Sequence, residues 1–186
     1  MGERRIIHYP QKRIIELYVR FMINKNRKKH LPLFGVGPII VFGQFLFTGI
    51  AIVLSYVFEW NHLKFDILNI PLKVMGIILI ILGFYLDYSA KNKSKLFENV
   101  ADNKLIVDGI YGIVRNPVYS GAFTVCIGAV CLTNKLELFV VIIICWIYMT
   151  IFLITTEEKW LKELYGQEYI DYCKRVNRCI PWFPRK

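Results

Sequence analysis

The sequence is poor in the residues that build metal centres and disulfide frameworks. Its three histidines, His8, His30 and His62, are far apart and do not show metal-ligand spacing. Its five cysteines form no Cys-x-x-Cys pair, and an odd number of them cannot all pair with one another. We therefore expect no metal site, and we expect reduced, buried thiols.

Acidic residues are also scarce, since 14 Asp and Glu stand against 24 Lys and Arg. A nucleic-acid-binding protein would be basic too, but it would not need the long apolar segments of this chain, so we expect no nucleic-acid partner. No Gly-x-Gly-x-x-Gly turn follows a strand pattern, which argues against a soluble Rossmann-type fold. The first 38 residues are polar and basic without an early apolar core, so we expect no cleavable signal peptide.

Apolar residues, in contrast, are abundant and clustered. Hydrophobic residues make up 55% of the chain, and the mean hydropathy is +0.42 despite a net charge of +10. About 20 apolar residues are enough for a helix to cross the hydrocarbon core of a bilayer. Four segments approach this length, of which the third is rather short: residues 39–58, 72–88, 118–133 and 136–156. The sequence predicts an all-α integral membrane protein with about four transmembrane helices.

The two ends of the chain read as amphipathic helices. Residues 1–38 carry nine Lys and Arg, and their apolar residues between 14 and 22 recur at helical spacing. Such a helix lies on the membrane surface among lipid headgroups, or packs on the body of the protein. Residues 157–176 show a second amphipathic pattern, and Gly166 is expected to interrupt it.

Between the second and third apolar segments lies a polar segment rich in turn signals. Asp108-Gly109 and Asn116-Pro117 are such signals, and Pro117 keeps Asn116 out of the α region while favouring the first turn of a new helix. The segment therefore brings four polar side chains to the mouth of the third apolar segment: Tyr111, Arg115, Asn116 and Tyr119.

A turn near Asn134 makes the third and fourth apolar segments an antiparallel hairpin, which brings Glu157 and Glu158 to the same membrane face. Adjacent carboxylates point about 100° apart on a helix, so at most one faces the hairpin. Arginine and asparagine side chains can donate hydrogen bonds to a carboxylate, and a glutamate can bind an ammonium. A tyrosine ring can contact a sulfonium through a cation–π interaction or stack on an adenine. The same residues are also consistent with a structural Arg–Glu pair, or with an arginine on lipid phosphate and tyrosines in the interfacial belt.

At these residues the chain resembles the isoprenylcysteine carboxyl methyltransferase family, which is related to the phospholipid methyltransferases. The family pattern is a Leu-Val-x-x-Gly-x-Tyr stretch, an Arg-His-Pro-x-Tyr-x-Gly motif, a hydrophobic hairpin, a Glu-Glu pair and a Gly-x-x-Tyr-x-x-Tyr tail with an Arg and a Pro. Here these read as Leu105 to Tyr111, Arg115 to Gly121, Glu157-Glu158, Gly166 with Tyr169 and Tyr172, Arg178 and Pro181. The order and spacing of the motifs, over about the last 85 residues, carry the resemblance.

The resemblance implies a methyltransferase-like region over residues 89–186, with S-adenosylmethionine bound in a pocket that faces the cytoplasm. It implies cofactor contacts by ten residues: Asn103, Lys104, Leu105, Ile106, Tyr111, Asn116, Pro117, Val118, Tyr119 and Glu157. Arg115 and Glu158 are the candidate catalytic residues, Glu158 as the base that an amine or thiol acceptor would need. Asn116 stands where the family has a histidine, and Leu153 stands where it has an arginine near the acceptor.

Three functions compete. The first is methyl transfer to a lipophilic or lipid-linked acceptor, such as a prenylcysteine-type carboxylate. The second is an NADPH-dependent reductase of the sterol-reductase kind, which has a similar basic, tyrosine-rich C-terminal region. The third is a non-catalytic membrane protein. The Arg-Asn-Pro-x-Tyr motif and the Glu-Glu pair favour the first, and the identity of the acceptor stays open.

Topology gives a direct test. The N-terminal segment, the loop of residues 89–117 and the C-terminal tail hold 21 of the 24 Lys and Arg, and basic residues favour the cytoplasmic side. We predict four spans with both termini in the cytoplasm. A reporter that works only outside the cytoplasm should be inactive when it is fused after Lys186, and its activity there would contradict the topology.

Overall fold

The computed structural model describes residues 35–60 and 66–181, and the regular elements in these ranges are all helical. The α-helices are α1 Gly37–Val57, α2 Asp66–Tyr88, α3 Leu96–Ala101, α4 Pro117–Thr133, α5 Phe139–Phe152, α6 Glu158–Tyr165 and α7 Gln167–Arg175. Two π-helical turns, Ser89–Lys93 and Leu153–Glu157, follow α2 and α5, and two 3₁₀ turns, Gly109–Gly112 and Leu136–Leu138, precede α4 and α5. The all-α prediction is confirmed, while the amphipathic helix predicted within residues 1–38 lies outside the described residues.

The long helices have the composition of membrane spans. Three continuous helical stretches, Gly37–Val57, Ile67–Lys93 and Leu136–Tyr165, are long and apolar enough to cross a bilayer, and Pro117–Thr133 is a shorter apolar helix. Large apolar side chains such as Phe42, Ile81 and Ile143 are exposed on them, as expected for surfaces that face lipid. The four predicted apolar segments thus correspond to four helices.

The start of α2 differs from the sequence prediction. The helix begins at Asp66, so Pro71 lies inside it rather than in the preceding loop. Proline removes only the hydrogen bond to the carbonyl four residues earlier, that of Ile67, within the first turns of the helix. The apolar packing of a long helix compensates for that local loss.

One face of α1 is polar and buried. Gln44, Thr48 and Ser55 lie on this face and are almost completely covered. At its far end the Lys135 ammonium donates to the Ser55 carbonyl oxygen at 2.6 Å and lies 3.9 Å from the centre of the Tyr56 ring. A cation at a helix C-terminus satisfies free carbonyls and complements the helix dipole. Lys135 therefore fastens the α4–α5 turn to the end of α1.

The predicted hairpin between α4 and α5 is present. Asn134 closes α4 in the left-handed conformation, with φ of 53°, which asparagine tolerates better than most residues. The two helices then share an apolar cluster that includes Cys126, Val130, Leu138 and Cys145. Four of the five cysteines are buried as expected, Cys173 is half-buried, and none of the five is paired in a disulfide within the described residues.

Helices α2 and α4 approach each other closely at their glycines, and the sequence analysis did not anticipate this contact. Gly76 and Gly83 of α2 face Gly128 and Gly121 of the antiparallel α4. A Cβ atom built on Gly121 would lie 2.6 Å from the Gly83 carbonyl oxygen. Small residues permit such close contact between membrane helices, whose association depends on packing rather than on the hydrophobic effect.

We predict that Gly121→Ala lowers the free energy of unfolding by about 1–3 kcal/mol, because the added methyl group meets rigid backbone. Gly49→Ala is the matched control, since a Cβ atom there has no neighbour within 4 Å and alanine favours the helix. Thermal unfolding in detergent measures both variants. Equal melting temperatures for the two variants would contradict the close α2–α4 packing.

Candidate functional site

A cavity of about 340 Å³ lies where the start of α4 meets α3, α6 and α7. Its volume is in the range of small-ligand sites. Ten of the twelve predicted site residues form part of its wall: Lys104, Leu105, Ile106, Tyr111, Arg115, Asn116, Pro117, Val118, Tyr119 and Glu157. Asn103 and Glu158 are not among the lining residues. The folded chain therefore gathers most of the predicted site around one space.

The segment before α4 is held by the C-terminal tail. Val114 forms an isolated parallel bridge with Asn177, and the Arg115 amide donates to the Asn177 carbonyl oxygen at 2.9 Å. The Asn116 backbone amide and side-chain amide both donate to the Arg178 carbonyl oxygen, at 3.1 and 3.0 Å. Pro117 then starts α4, as predicted. The irregular segment is thus a fixed part of the cavity wall.

Glu158 lies between two arginines. Its Oε1 is 3.1 Å from Nη2 of Arg115 and 2.6 Å from Nε of Arg178, while its Oε2 accepts from Nη2 of Arg178 at 3.1 Å. The side chains of Glu158 and Arg115 are only 5% and 8% exposed. The Glu158 carboxylate raises the pKa of the Arg178 guanidinium. This ion-pair cluster joins the segment before α4, the start of α6 and the tail.

Arg115 has further neighbours on α7. Its Nη1 contacts Sγ of Cys173, and its guanidinium carbon lies 5.9 Å from the centre of the Tyr169 ring. Its Nε is buried and has no hydrogen-bond partner among the described residues. Arg115 therefore has one buried donor without a partner among the described residues, while its other two nitrogens contact Glu158 and Cys173.

The two adjacent glutamates point in different directions. Glu157 lines the cavity beside the Tyr119 hydroxyl, whereas Glu158 belongs to the ion-pair cluster. The Oε2 atom of Glu157 is buried and has no partner among the described residues. The expectation that only one of the pair faces the hairpin agrees with this arrangement. Glu157 is the carboxylate available to a ligand.

Three tyrosines close the cavity near α7. The Tyr172 hydroxyl donates to the Tyr111 carbonyl oxygen at 2.6 Å, whereas the buried Tyr169 hydroxyl has the Cys173 thiol, a weak hydrogen-bonding group, beside it. Burial raises the pKa of all three phenols, Tyr111, Tyr169 and Tyr172. Each is therefore a neutral hydrogen-bond donor at physiological pH.

Several wall residues were missed by the sequence analysis, namely Lys91, Phe97, Trp160, Tyr165, Tyr169 and Tyr172. The tyrosines of α7 were visible as part of a family motif and as a helical pattern, but neither signal shows that they face a cavity. The pairing of Asn177 and Arg178 with the segment before α4 was not anticipated from the sequence either.

Comparison with known proteins identifies a family that matches the part of the chain around the cavity. The phospholipid methyltransferase family matches residues 72–168, which is more than half of the chain and contains most of the cavity wall. No solved structure matches the chain.

Three curated relatives illustrate the range of similar proteins. The chain is 33% identical over 117 residues to a Protein-S-isoprenylcysteine O-methyltransferase of Saccharomyces cerevisiae, which covers 59% of this chain and 48% of that protein. The corresponding Schizosaccharomyces pombe protein is 36% identical over 84 residues, or 45% of this chain and 35% of that protein. A Delta(14)-sterol reductase of Mus musculus is 27% identical over 170 residues, or 80% of this chain and 39% of that protein.

The chain thus spans about half or less of the length of these relatives. The family match covers the helical hairpin, the segment before it and the Glu157-Glu158 pair, the same features that surround the cavity. On this match and the similarity to the isoprenylcysteine O-methyltransferases, the chain belongs to the phospholipid methyltransferase family of integral membrane proteins.

Proposed function

We propose that the protein is an integral-membrane methyltransferase that uses S-adenosylmethionine and acts on a lipophilic acceptor. The observation that carries the proposal is the Glu157 carboxylate, which lines the cavity and has a buried oxygen without a partner among the described residues. An unpaired buried acceptor is costly unless a ligand satisfies it. The methyl donor carries both an ammonium and a sulfonium, so its charges complement this wall.

The donor, when bound, supplies an electrophilic methyl group that passes to the acceptor as the carbon–sulfur bond breaks. The residues of the chain supply binding, orientation and exclusion of water, which are sufficient to accelerate an in-line displacement. Tyr119 and Glu157 hold the positively charged part of the ligand, and the wall formed by Asn116 and Pro117 fixes its position. A carboxylate acceptor needs no base in this scheme.

Arg115 and Glu158 take different roles from those expected from the sequence. Glu158 lies outside the cavity wall and accepts from two guanidinium groups, so we propose that it positions the wall instead of acting as a base. Arg115 also belongs to this cluster, but it lines the cavity and retains a free Nε. We therefore propose that Arg115 both binds the ligand and stabilises the cavity wall through the ion-pair cluster.

The acceptor enters from the bilayer in this proposal. Pro38 and Val41 of α1 and Val118 of α4 give the cavity an apolar side, and the neighbouring outer face of α1 exposes large apolar residues. The names of the yeast relatives suggest a prenylcysteine carboxylate. Leu153, at the position where those enzymes are expected to have an arginine, is fully buried against Ile40 and Tyr119 and offers no charge for such a group. A lipid-linked acceptor of another class therefore remains within the proposal.

A sterol-reductase-like function is the second candidate, because the similarity to the mouse reductase extends over 80% of the chain. Its NADPH cofactor is a polyanion. A buried carboxylate in the cavity wall repels phosphate groups, whereas it attracts a sulfonium or an ammonium. Glu157 therefore favours the methyl donor over NADPH.

The adjacent glutamates provide a matched test. Glu157→Gln keeps the side-chain volume and removes the charge in the cavity, so we predict about tenfold or greater loss of affinity for S-adenosylhomocysteine with an unchanged melting temperature. Glu158→Gln removes the carboxylate between two arginines, and we predict a loss of about 3 kcal/mol in stability. Isothermal titration and thermal unfolding of both variants separate the two effects.

The wild-type protein is the control for the function itself. Binding of S-adenosylhomocysteine but not of NADPH supports a methyltransferase, whereas stabilisation by NADPH alone supports the reductase. Wild-type affinity in folded Glu157→Gln would rule out this carboxylate as a ligand contact.

A further inference from the structure

Most polar groups in the cavity wall are already used by the protein. Two nitrogens of Arg115 contact Glu158 and Cys173, the side-chain amide of Asn116 donates to the Arg178 carbonyl, and the Lys91 ammonium lies 2.8 Å from a carboxylate oxygen of Asp87. Lys104 also lines the cavity, but it is exposed, so water solvates its ammonium. These groups leave little for the recognition of a ligand.

Three residues that line the cavity each have a buried polar atom without a nitrogen or oxygen partner among the described residues: Arg115 Nε, Tyr169 Oη and Glu157 Oε2. The first two are donors, and they are neighbours, since the Arg115 guanidinium carbon lies 5.9 Å from the centre of the Tyr169 ring. The third is a carboxyl oxygen, and a bound cation beside it would favour the ionised form. A wall that contains two such donors and one such carboxyl oxygen is complementary to a zwitterion.

We propose that the Tyr169 hydroxyl and Arg115 Nε form the subsite for the carboxylate of the donor's amino-acid end, while Glu157 binds its ammonium. This inference rests on the proposed function and adds to it Tyr169 as a residue that recognises the carboxylate of the donor. It also replaces the sequence-based assignment of the carboxylate to the Asn116 amide, because that amide is bonded to the tail. Tyr169 is thus a specificity-determining residue.

The charges of the wall fix the orientation of the ligand. The Arg115 guanidinium beside Tyr169 attracts an anionic group and repels a cationic one, and Glu157 does the reverse. Burial keeps the Tyr169 phenol neutral, so it donates a proton in a hydrogen bond to the anion instead of repelling it. Binding of the zwitterion then satisfies polar atoms that otherwise remain buried without partners.

Helix α7 contains its own control for the test. Tyr169 and Tyr172 are both almost fully buried, but the Tyr172 hydroxyl donates to the Tyr111 carbonyl oxygen, whereas the Tyr169 hydroxyl has the weakly bonding Cys173 thiol beside it. We expect Tyr169→Phe to keep or slightly raise the melting temperature and to weaken S-adenosylmethionine binding about tenfold or more. Tyr172→Phe removes a bond internal to the protein and should lower the melting temperature, which we do not expect of Tyr169→Phe.

A second ligand identifies the atom that Tyr169 contacts. Decarboxylated S-adenosylmethionine keeps the ammonium and the sulfonium but lacks the carboxylate. We therefore expect wild type and Tyr169→Phe to bind it with equal affinity, and Glu157→Gln to bind it more weakly than wild type. Isothermal titration of the three proteins with both ligands completes a cycle that isolates the contact.

Each outcome of this cycle decides a separate point. Wild-type affinity of Tyr169→Phe for the intact donor would overturn the inference while leaving the methyltransferase intact. An equal loss for both ligands would place the hydroxyl against another part of the donor and would also overturn it. Failure of the wild-type protein to bind either ligand would reject the proposed function itself.

Discussion

The cavity depends on the ion-pair cluster in which the Glu158 carboxylate lies between Arg115 and Arg178. The cluster joins three parts of the chain that are far apart in sequence, and it does so where the side chains have little contact with water. A buried charge that loses its partner costs several kcal/mol, so the three groups stay together or separate together. Backbone hydrogen bonds from Arg115 and Asn116 to the tail run beside the cluster and reinforce it. The wall of the cavity is therefore rigid where the ligand is expected to be oriented.

The different orientations of Glu157 and Glu158 follow from local helix geometry. The π-helical turn Leu153–Glu157 interrupts the α-helical register between α5 and α6. Such turns rotate the residues that follow them, and they are frequent at functional sites. Here the turn ends at Glu157, which lines the cavity, and the next residue begins α6 inside the ion-pair cluster. One carboxylate is thus available to a ligand, and its neighbour is used to build the wall.

The sequence was informative wherever the signal was local. Hydropathy located the four apolar helices, Asn134 marked the hairpin turn, Gly166 separated α6 from α7, and Pro117 began α4. The convergence of Arg115, Tyr119 and Glu157 also followed from the length of the hairpin. A structural Arg–Glu pair was among the alternatives left open, without Glu158 as its assigned member. The role of Arg178 was not anticipated, because its partner Glu158 lies 20 residues away across a turn. The glycine contacts between α2 and α4 were missed because periodicity shows which residues are small, not which backbone they approach.

A buried polar atom without a hydrogen-bond partner points to a ligand only when its residue lines a cavity. The Gln44 amide is fully buried and has no hydrogen-bond partner among the described residues, yet it does not line the cavity. Its isolation among α1, α4 and α5 therefore says nothing about a ligand. The free atoms of Arg115, Glu157 and Tyr169 differ because their residues line one cavity and because they comprise two donors and one carboxyl acceptor. A zwitterion satisfies all three at once, whereas a polyanion leaves Glu157 unpaired and a simple cation leaves the two donors unpaired. In the proposed function, the polar atoms that the fold leaves unbonded therefore favour a zwitterionic ligand.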